Sequence, residues 1–149
     1  MGSYTYLLYQ IVFATKNRRP CMVKETRQQV FAYMSGIIKN KNCKPFIING
    51  VEDHLHILTH VHQTVPISKL VAEIKKSSHH FIDNNGLFPG FTNWQDGYGV
   101  FTYSKEAFPN LIEYIKNQEA HHAQFDFKAE YILMLEEAGI EYDERYLFD

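Results

Sequence analysis

Hydrophobic and polar positions along the chain predict a regular succession of strands and helices. Residues 4–14 are dense in aromatic and β-branched side chains, which favours a buried strand. Residues 24–40 carry apolar side chains at helical spacing and end at the polar stretch KNKNCKP, which predicts a helix. By the same criteria, strands are predicted at residues 45–51, 54–62 and 100–104, and helices at residues 66–82, 108–122 and 129–138.

The order β-α-β-β-α-β followed by helices is typical of the ferredoxin-like (split βαβ) fold, an α+β architecture. We therefore expect one antiparallel sheet with helices on one face, and C-terminal helices beyond it. The other face of the sheet would then be free for a site. Residues 84–99 hold glycines, a proline and polar residues between aromatics, which indicates an irregular loop. Because this fold serves many functions, it assigns none.

Length and composition fit a single domain over residues 1–149, since the chain is 45% hydrophobic and has 149 residues. No signal peptide or membrane span is readable, so we expect a soluble, cytoplasmic protein without a membrane partner. Cys21 and Cys43 lack CxxC spacing, which favours ordinary reduced thiols.

Charge is unevenly distributed along the chain. Residues 1–125 carry 13 Lys or Arg against 9 Asp or Glu, whereas residues 126–149, an acidic C-terminal helix and tail, carry 2 against 8. The net charge of −2 thus conceals a mildly basic body, which is compatible with a nucleic-acid backbone as partner. An ordinary solvated surface explains any single charge equally well. The candidate DNA contacts are the basic residues Arg18, Arg19, Lys75 and Lys76 and the loop aromatics Trp94 and Tyr98.

The tripeptide His54-Leu55-His56 lies in a predicted strand, where side chains alternate between faces. Both imidazoles then point the same way and are suited to hold a divalent metal. Asp53, just before them, is placed to orient a ligand. A polar strand face without a metal is an equally good interpretation of so short a motif, particularly because His60 and His62 follow on the same strand.

Tyr114 and Gln118 are four residues apart in a predicted helix and therefore share one face. A phenol becomes an effective nucleophile beside a metal or a base, and the amide oxygen of Gln118 is a possible third metal ligand. With ten tyrosines in the chain, simple surface packing is the more common explanation of such a pair.

These motifs together resemble the single-tyrosine HUH transposases of the insertion sequence 200-like type, where HUH denotes two histidines around a hydrophobic residue. The resemblance runs the full length of the chain, through YTYLLYQIVFATKNRRP, VEDHLHIL, VPISKLVAEIKKSSHHF, NWQDGYGVFTYS and IEYIKNQEAHH. It implies that His54, His56 and Gln118 bind Mg²⁺ or Mn²⁺ and that Tyr114 is the catalytic nucleophile. It further implies cleavage and rejoining of single-stranded DNA through a 5′-phosphotyrosine, hairpin-bearing element ends as substrate, and a homodimer with active sites shared between subunits.

Two other functions remain compatible with the same residues. One is a metal-dependent phosphodiesterase or nuclease that uses water as nucleophile. The other is a non-catalytic module that binds nucleic acid on its sheet.

Overall fold

Four antiparallel strands form one sheet in the computed structural model, which describes residues 2–149. The order across the sheet is β2-β3-β1-β4, so β1 and β3 are central. Helices α1 and α2 make the two crossovers, from β1 to β2 and from β3 to β4, which is the ferredoxin-like α+β fold predicted above. The bounds are β1 Leu8–Ala14, α1 Lys24–Asn40, β2 Lys44–Gly50, β3 His54–His60, α2 Ile67–Asn85 and β4 Gly99–Tyr103.

The main core lies between the sheet and helices α1 and α2. Alternate residues of the central strands face it, among them Phe13 of β1 and Leu55 and Ile57 of β3, and all three are fully buried. Each such side chain stabilises the fold by about 1.5–3 kcal/mol, because folding removes its apolar surface from water. Because strand side chains alternate, the intervening residues of β1 and β3 point to the opposite face.

That opposite face is covered rather than free, which corrects the expectation from the sequence. Three further helices lie along the C-terminal part of the chain: α3 Phe108–Lys116, α4 Gln118–His122 and α5 Phe127–Glu137. The acidic segment 126–149 packs on the sheet because its apolar residues Phe127, Tyr131 and Leu135 form a second buried cluster with Val12 and Ala14 of β1. The acidic residues mask this apolar stripe in the overall composition.

The predicted helix 108–122 is broken at Asn117, whose backbone (φ −98°, ψ 26°) is not helical. The side-chain amide of Asn49, on β2, donates to the carbonyls of Ile115 at 3.0 Å and Lys116 at 3.2 Å. These carbonyls end α3 and would otherwise lack partners. The chain therefore turns between α3 and α4, with Tyr114 on one side of the break and Gln118 on the other.

Two predicted strands are shorter than expected. The strand predicted from residue 4 begins at Leu8, where pairing starts on both sides, opposite His60 of β3 and Tyr103 of β4. Strand β3 ends at His60, so His62 lies beyond it and bonds through Nδ1 to the hydroxyl of Thr64.

The turn between β2 and β3 consists of residues 51–53. A β-carbon at Gly50 would overlap the carbonyl oxygen of His54, so the close approach of the strands requires glycine there. Among residues 2–149, no helix is long and apolar enough to cross a membrane.

Candidate active site

The two histidines lie side by side at the start of β3, and neither is exposed to solvent. His54 Nδ1 lies 2.7 Å from a carboxylate oxygen of Asp53, and His56 Nδ1 lies 2.7 Å from Oε1 of Gln10. The Gln10 amide nitrogen in turn donates to the Tyr103 hydroxyl at 3.0 Å, which leaves Oε1 as the acceptor for His56. Each ring is therefore oriented by a contact at Nδ1 and turns its Nε2 atom into the site.

The sequence-predicted partners Tyr114 and Gln118 reach the same place. Gln118 begins α4 and is fully buried, with its Oε1 3.3 Å from Nε2 of His54. The Tyr114 ring meets that of His56 edge-on, with 5.8 Å between ring centroids. All four residues come together within one chain, although they belong to three different elements.

Sequence reasoning missed the residue at the centre of this group, Glu130 of α5. Its carboxylate is 2% exposed. One oxygen, Oε1, lies 3.0 Å from Nε2 of His56 and 3.3 Å from Nε2 of His54. The other, Oε2, accepts a hydrogen bond from the Tyr114 hydroxyl and lies 3.4 Å from the Gln118 amide nitrogen. Glu130 thus connects the histidine pair to the tyrosine.

His122 of α4 was also missed. Its Nε2 lies 3.1 Å from Oε1 of Glu130. Nothing local in the sequence marks either residue, because Glu130 is one of eight acidic residues in 126–149 and His122 is one of two adjacent histidines. Ligand atoms of His54, His56, His122 and Glu130 all lie within 4.8 Å of one another.

Burial and hydrogen bonding set the charges of this group. Burial alone would lower the pKa of His54, but hydrogen bonds to Asp53 and Glu130 outweigh it and raise that pKa. Burial lowers the pKa of His56, and burial with repulsion from neighbouring imidazoles lowers the pKa of His122 to about 4. Burial would raise the pKa of Glu130, yet hydrogen bonds from His54 and His56 lower it. Near neutral pH the site therefore combines a carboxylate with neutral imidazoles at His56 and His122, whereas the raised pKa of His54 favours its protonated form in the absence of a metal.

This donor set suits a divalent metal ion. Ligands about 2.1 Å from a shared ion lie about 3 Å from their neighbours when they are at right angles. The separations of Glu130 Oε1 from the two Nε2 atoms of the histidine pair, and of Gln118 Oε1 from His54 Nε2, are 3.0–3.3 Å. Neutral imidazole nitrogens and carboxylate or amide oxygens are ligands that such ions take.

The aromatic ring of Phe127 covers one side of the site. It stacks on the His54 ring at 3.9 Å between centroids, with 11° between the planes. On another side, a cavity of about 250 Å³ reaches Tyr114 and Glu130 between Tyr103, Phe125 and Met134. Tyr114 and Glu130 are therefore approached from the surface through this cavity.

The predicted DNA contacts lie elsewhere, around the loop of residues 86–98. Lys75, Lys76 and Tyr98 line a groove of about 420 Å³ between α2 and this loop. The Lys75 ammonium is tied to the loop because it donates to the carbonyls of Gln95, at 2.7 Å, and Gly97, at 2.7 Å. Burial lowers the pKa of Lys75 to about 8. Tyr98 is 37% exposed.

Two of the other predicted contacts are engaged by the protein itself. Trp94 is 1% exposed, packs edge-on against Phe13 at 5.1 Å and donates from its indole nitrogen to Ser78. The ring therefore has no free face for stacking on a base, which corrects the expectation of an exposed loop residue. The Arg18 guanidinium lies over the ring of Phe148, 4.6 Å from its centroid. Arg19 is exposed.

Sequence comparison identifies the family. The model of the family described as "Transposase IS200 like" matches residues 3–118. The transposases for insertion sequence element IS200 of Salmonella typhimurium strain LT2 and of Salmonella typhi are each 30% identical over 115 residues, which cover 74% of this chain and 75% of theirs. The chain belongs to the IS200-like transposase family.

Structural comparison supports the same fold. A candidate transposase from Deinococcus radiodurans R1 superposes with a TM-score of 0.61 and 22% identity, over 79% of this chain and 95% of that one. A REP-associated tyrosine transposase bound to a REP hairpin superposes with a TM-score of 0.59 and 14% identity, over 82% of this chain and 74% of that one.

Proposed function

We propose that this protein is a DNA transposase that cuts and rejoins single-stranded DNA, with Tyr114 as the nucleophile. One observation carries the proposal: the Tyr114 hydroxyl is hydrogen-bonded to a carboxylate that also contacts both histidines of the HUH motif. A tyrosine that served only to pack the helix would not need its hydroxyl at the centre of a buried polar cluster.

The reaction is a transesterification at phosphorus. The Tyr114 oxygen forms a bond to the scissile phosphorus as the bond from phosphorus to the 3′ oxygen breaks, which leaves a 5′-phosphotyrosine and a free 3′ hydroxyl. A 3′ hydroxyl then attacks the phosphotyrosine, reforms the DNA phosphodiester and restores the phenol. Neither water nor ATP takes part, so the energy of the phosphodiester bond is retained for rejoining.

His54, His56 and Gln118 are the residues that would hold Mg²⁺ or Mn²⁺. When bound, such an ion polarises the phosphate and offsets the charge that develops on its oxygens. The protein orients both histidines through Asp53 and Gln10, which keeps their Nε2 atoms directed at one point. The Tyr114 hydroxyl is held beside that point by its hydrogen bond to the other carboxylate oxygen, Oε2 of Glu130.

The proposed substrate is the hairpin-bearing end of the mobile element. Binding of a hairpin by a transposase of the same fold supports this choice. The groove with Lys75, Lys76 and Tyr98, together with the exposed Arg19, provides positive charge and an aromatic ring for a DNA strand. We further propose that the protein acts as a homodimer with active sites shared between subunits, as the family resemblance implies.

A covalent adduct assay tests the nucleophile. The protein is incubated with labelled single-stranded DNA from the element's palindromic end and Mg²⁺ or Mn²⁺, then resolved under denaturing conditions. We expect a protein-linked label whose attachment maps to Tyr114 by peptide analysis. Tyr114→Phe should form none, whereas Tyr33→Phe, a control at a partly exposed position of α1, should match the unmodified protein.

Three outcomes would contradict the proposal. An equal adduct with Tyr114→Phe would exclude this tyrosine. Cleavage that releases a free 5′ phosphate without an adduct would identify a nuclease that uses water. Binding of DNA without cleavage would identify a passive nucleic-acid-binding module.

A further inference from the structure

We propose that Glu130 is an additional ligand of the divalent cation, binding through Oε1, while its Oε2 holds the nucleophilic hydroxyl of Tyr114. The inference rests on the proposed function, because it concerns the same site. It assigns a role to the C-terminal acidic segment, which lies beyond the residues 3–118 that the family model matches.

The hydrogen-bonding pattern around His56 is the first argument. Its Nδ1 hydrogen is donated to Gln10, whose own amide nitrogen is committed to Tyr103. Nε2 of His56 therefore faces the site, and Glu130 Oε1 lies 3.0 Å from it. This is the separation of two ligands that share one metal ion, and a cation that binds both takes the place of a proton between them. Glu130 Oε1 is therefore positioned to bind the same cation as His56.

Charge gives the second argument. His54, His56 and Gln118 are neutral donors, and two of the three offer nitrogen. Mg²⁺ and Mn²⁺ prefer oxygen ligands, and Mg²⁺ is usually bound through one or two carboxylates. Glu130 supplies the only negative charge among the groups that meet at Nε2 of the two histidines, within the described part of the chain. Glu130 therefore adds to the two histidine nitrogens the charged oxygen ligand that Mg²⁺ and Mn²⁺ prefer.

Packing gives the third argument, because α5 is fixed where the carboxylate is needed. The Asp126 side chain accepts from the amide of Ala129 at 2.9 Å and so caps the helix start. Phe127 and Tyr131, three residues before and one after Glu130, are both buried against the sheet. A carboxylate buried at 2% exposure is costly without a partner, and here the histidine pair and the Tyr114 hydroxyl contact it.

Metal titration of the purified full-length chain tests the inference without DNA. Mn²⁺ binding is measured by calorimetry, with free Mn²⁺ followed by electron paramagnetic resonance. Glu130→Gln should raise the Kd for Mn²⁺ at least about tenfold. Glu137→Gln, an exposed change on the same helix, should leave it unchanged. Tyr114→Phe should also keep the original affinity, because the phenol is not a ligand.

Comparison of two metals separates ligation from a structural role. Loss of an oxygen ligand should weaken the binding of Mn²⁺ more than the binding of Ni²⁺, because Ni²⁺ binds imidazole well. The inference would be overturned if Glu130→Gln lost affinity for both ions equally. It would also be overturned if that variant bound Mn²⁺ as tightly as the unmodified protein or more tightly. If that variant does not fold, Glu130→Asp replaces it: at least about threefold weaker Mn²⁺ binding supports the inference, and unchanged binding refutes it.

The two proposals fail in different ways. If the protein forms the DNA adduct but Glu130→Gln binds Mn²⁺ as tightly as the unmodified protein, only the ligand role of Glu130 is contradicted. If Glu130→Gln weakens Mn²⁺ binding but the unmodified protein forms no DNA adduct, only the strand-transfer function is contradicted.

Discussion

Replacement of Phe127 by alanine should destabilise the fold and the metal site together. The Phe127 ring is 1% exposed and lies between the sheet and α5. It stacks on His54 at 3.9 Å and contacts the rings of Tyr131 at 5.4 Å and Phe148 at 5.6 Å. Its removal leaves a cavity at the point where the helix that carries Glu130 meets the sheet.

The magnitude follows from the size of the lost side chain. Truncation of a buried phenylalanine to alanine costs about 3–5 kcal/mol. With a urea dependence of roughly 2 kcal/mol per molar for a chain of this size, the unfolding midpoint should fall by about 1.5–2.5 M. Leu133→Ala, on the same helix at a position 47% exposed, should cost less than about 1 kcal/mol.

Urea unfolding followed by circular dichroism measures both variants, and Mn²⁺ titration at low urea follows the site. We expect Phe127→Ala to bind Mn²⁺ more weakly, because the ring that supports His54 is gone and α5 is less firmly docked. A stability loss as small as that of Leu133→Ala, with unchanged Mn²⁺ affinity, would refute the reasoning. It would mean that α5 is held by other contacts and that His54 needs no support from it.

Two further predictions concern the assembly and orientation of the site. Because the active sites are proposed to be shared between subunits, a mixture of Tyr114→Phe and His56→Ala subunits should form DNA adduct that neither variant forms alone. No recovery would show that each chain pairs Tyr114 with its own histidines, as the geometry within one chain allows. Asp53→Ala removes the acceptor that orients His54, so Mn²⁺ affinity should fall about 10–100-fold while the unfolding midpoint changes little. An unchanged affinity would show that packing alone orients the ring.

The fold was predictable because its signals are local. Apolar residues of α1 recur at helical spacing and stop at a polar run, and the structure places that helix at the predicted residues 24–40. The break at Asn117 was not predictable, because its cause is a side chain on β2 that is distant in sequence. Likewise, Trp94 stands among glycines and polar residues, yet the core accepts its ring through contacts with β1 and α2.

The site was predictable only in part. The alternation of a strand brings His54 and His56 to one face, and the structure adds the orienting contact from Asp53 that the sequence indicated. Glu130 gave no comparable signal. The helix carries several carboxylates, and the way it docks on the sheet decides which of them faces inward. Docking is decided by the apolar stripe through Phe127 and Tyr131, whose partners on β1 are more than a hundred residues earlier.

The short turn before β3 constrains which insertions and deletions the gene can tolerate. Residues 51–53 join two paired strands, and Gly50 lies so close to β3 that no side chain fits there. Insertion or loss of a single residue in this turn would shift β3 by one position, which would turn the histidines into the apolar core and Leu55 into the site. The length of the turn is therefore fixed by the need to present two imidazoles on one side of the sheet.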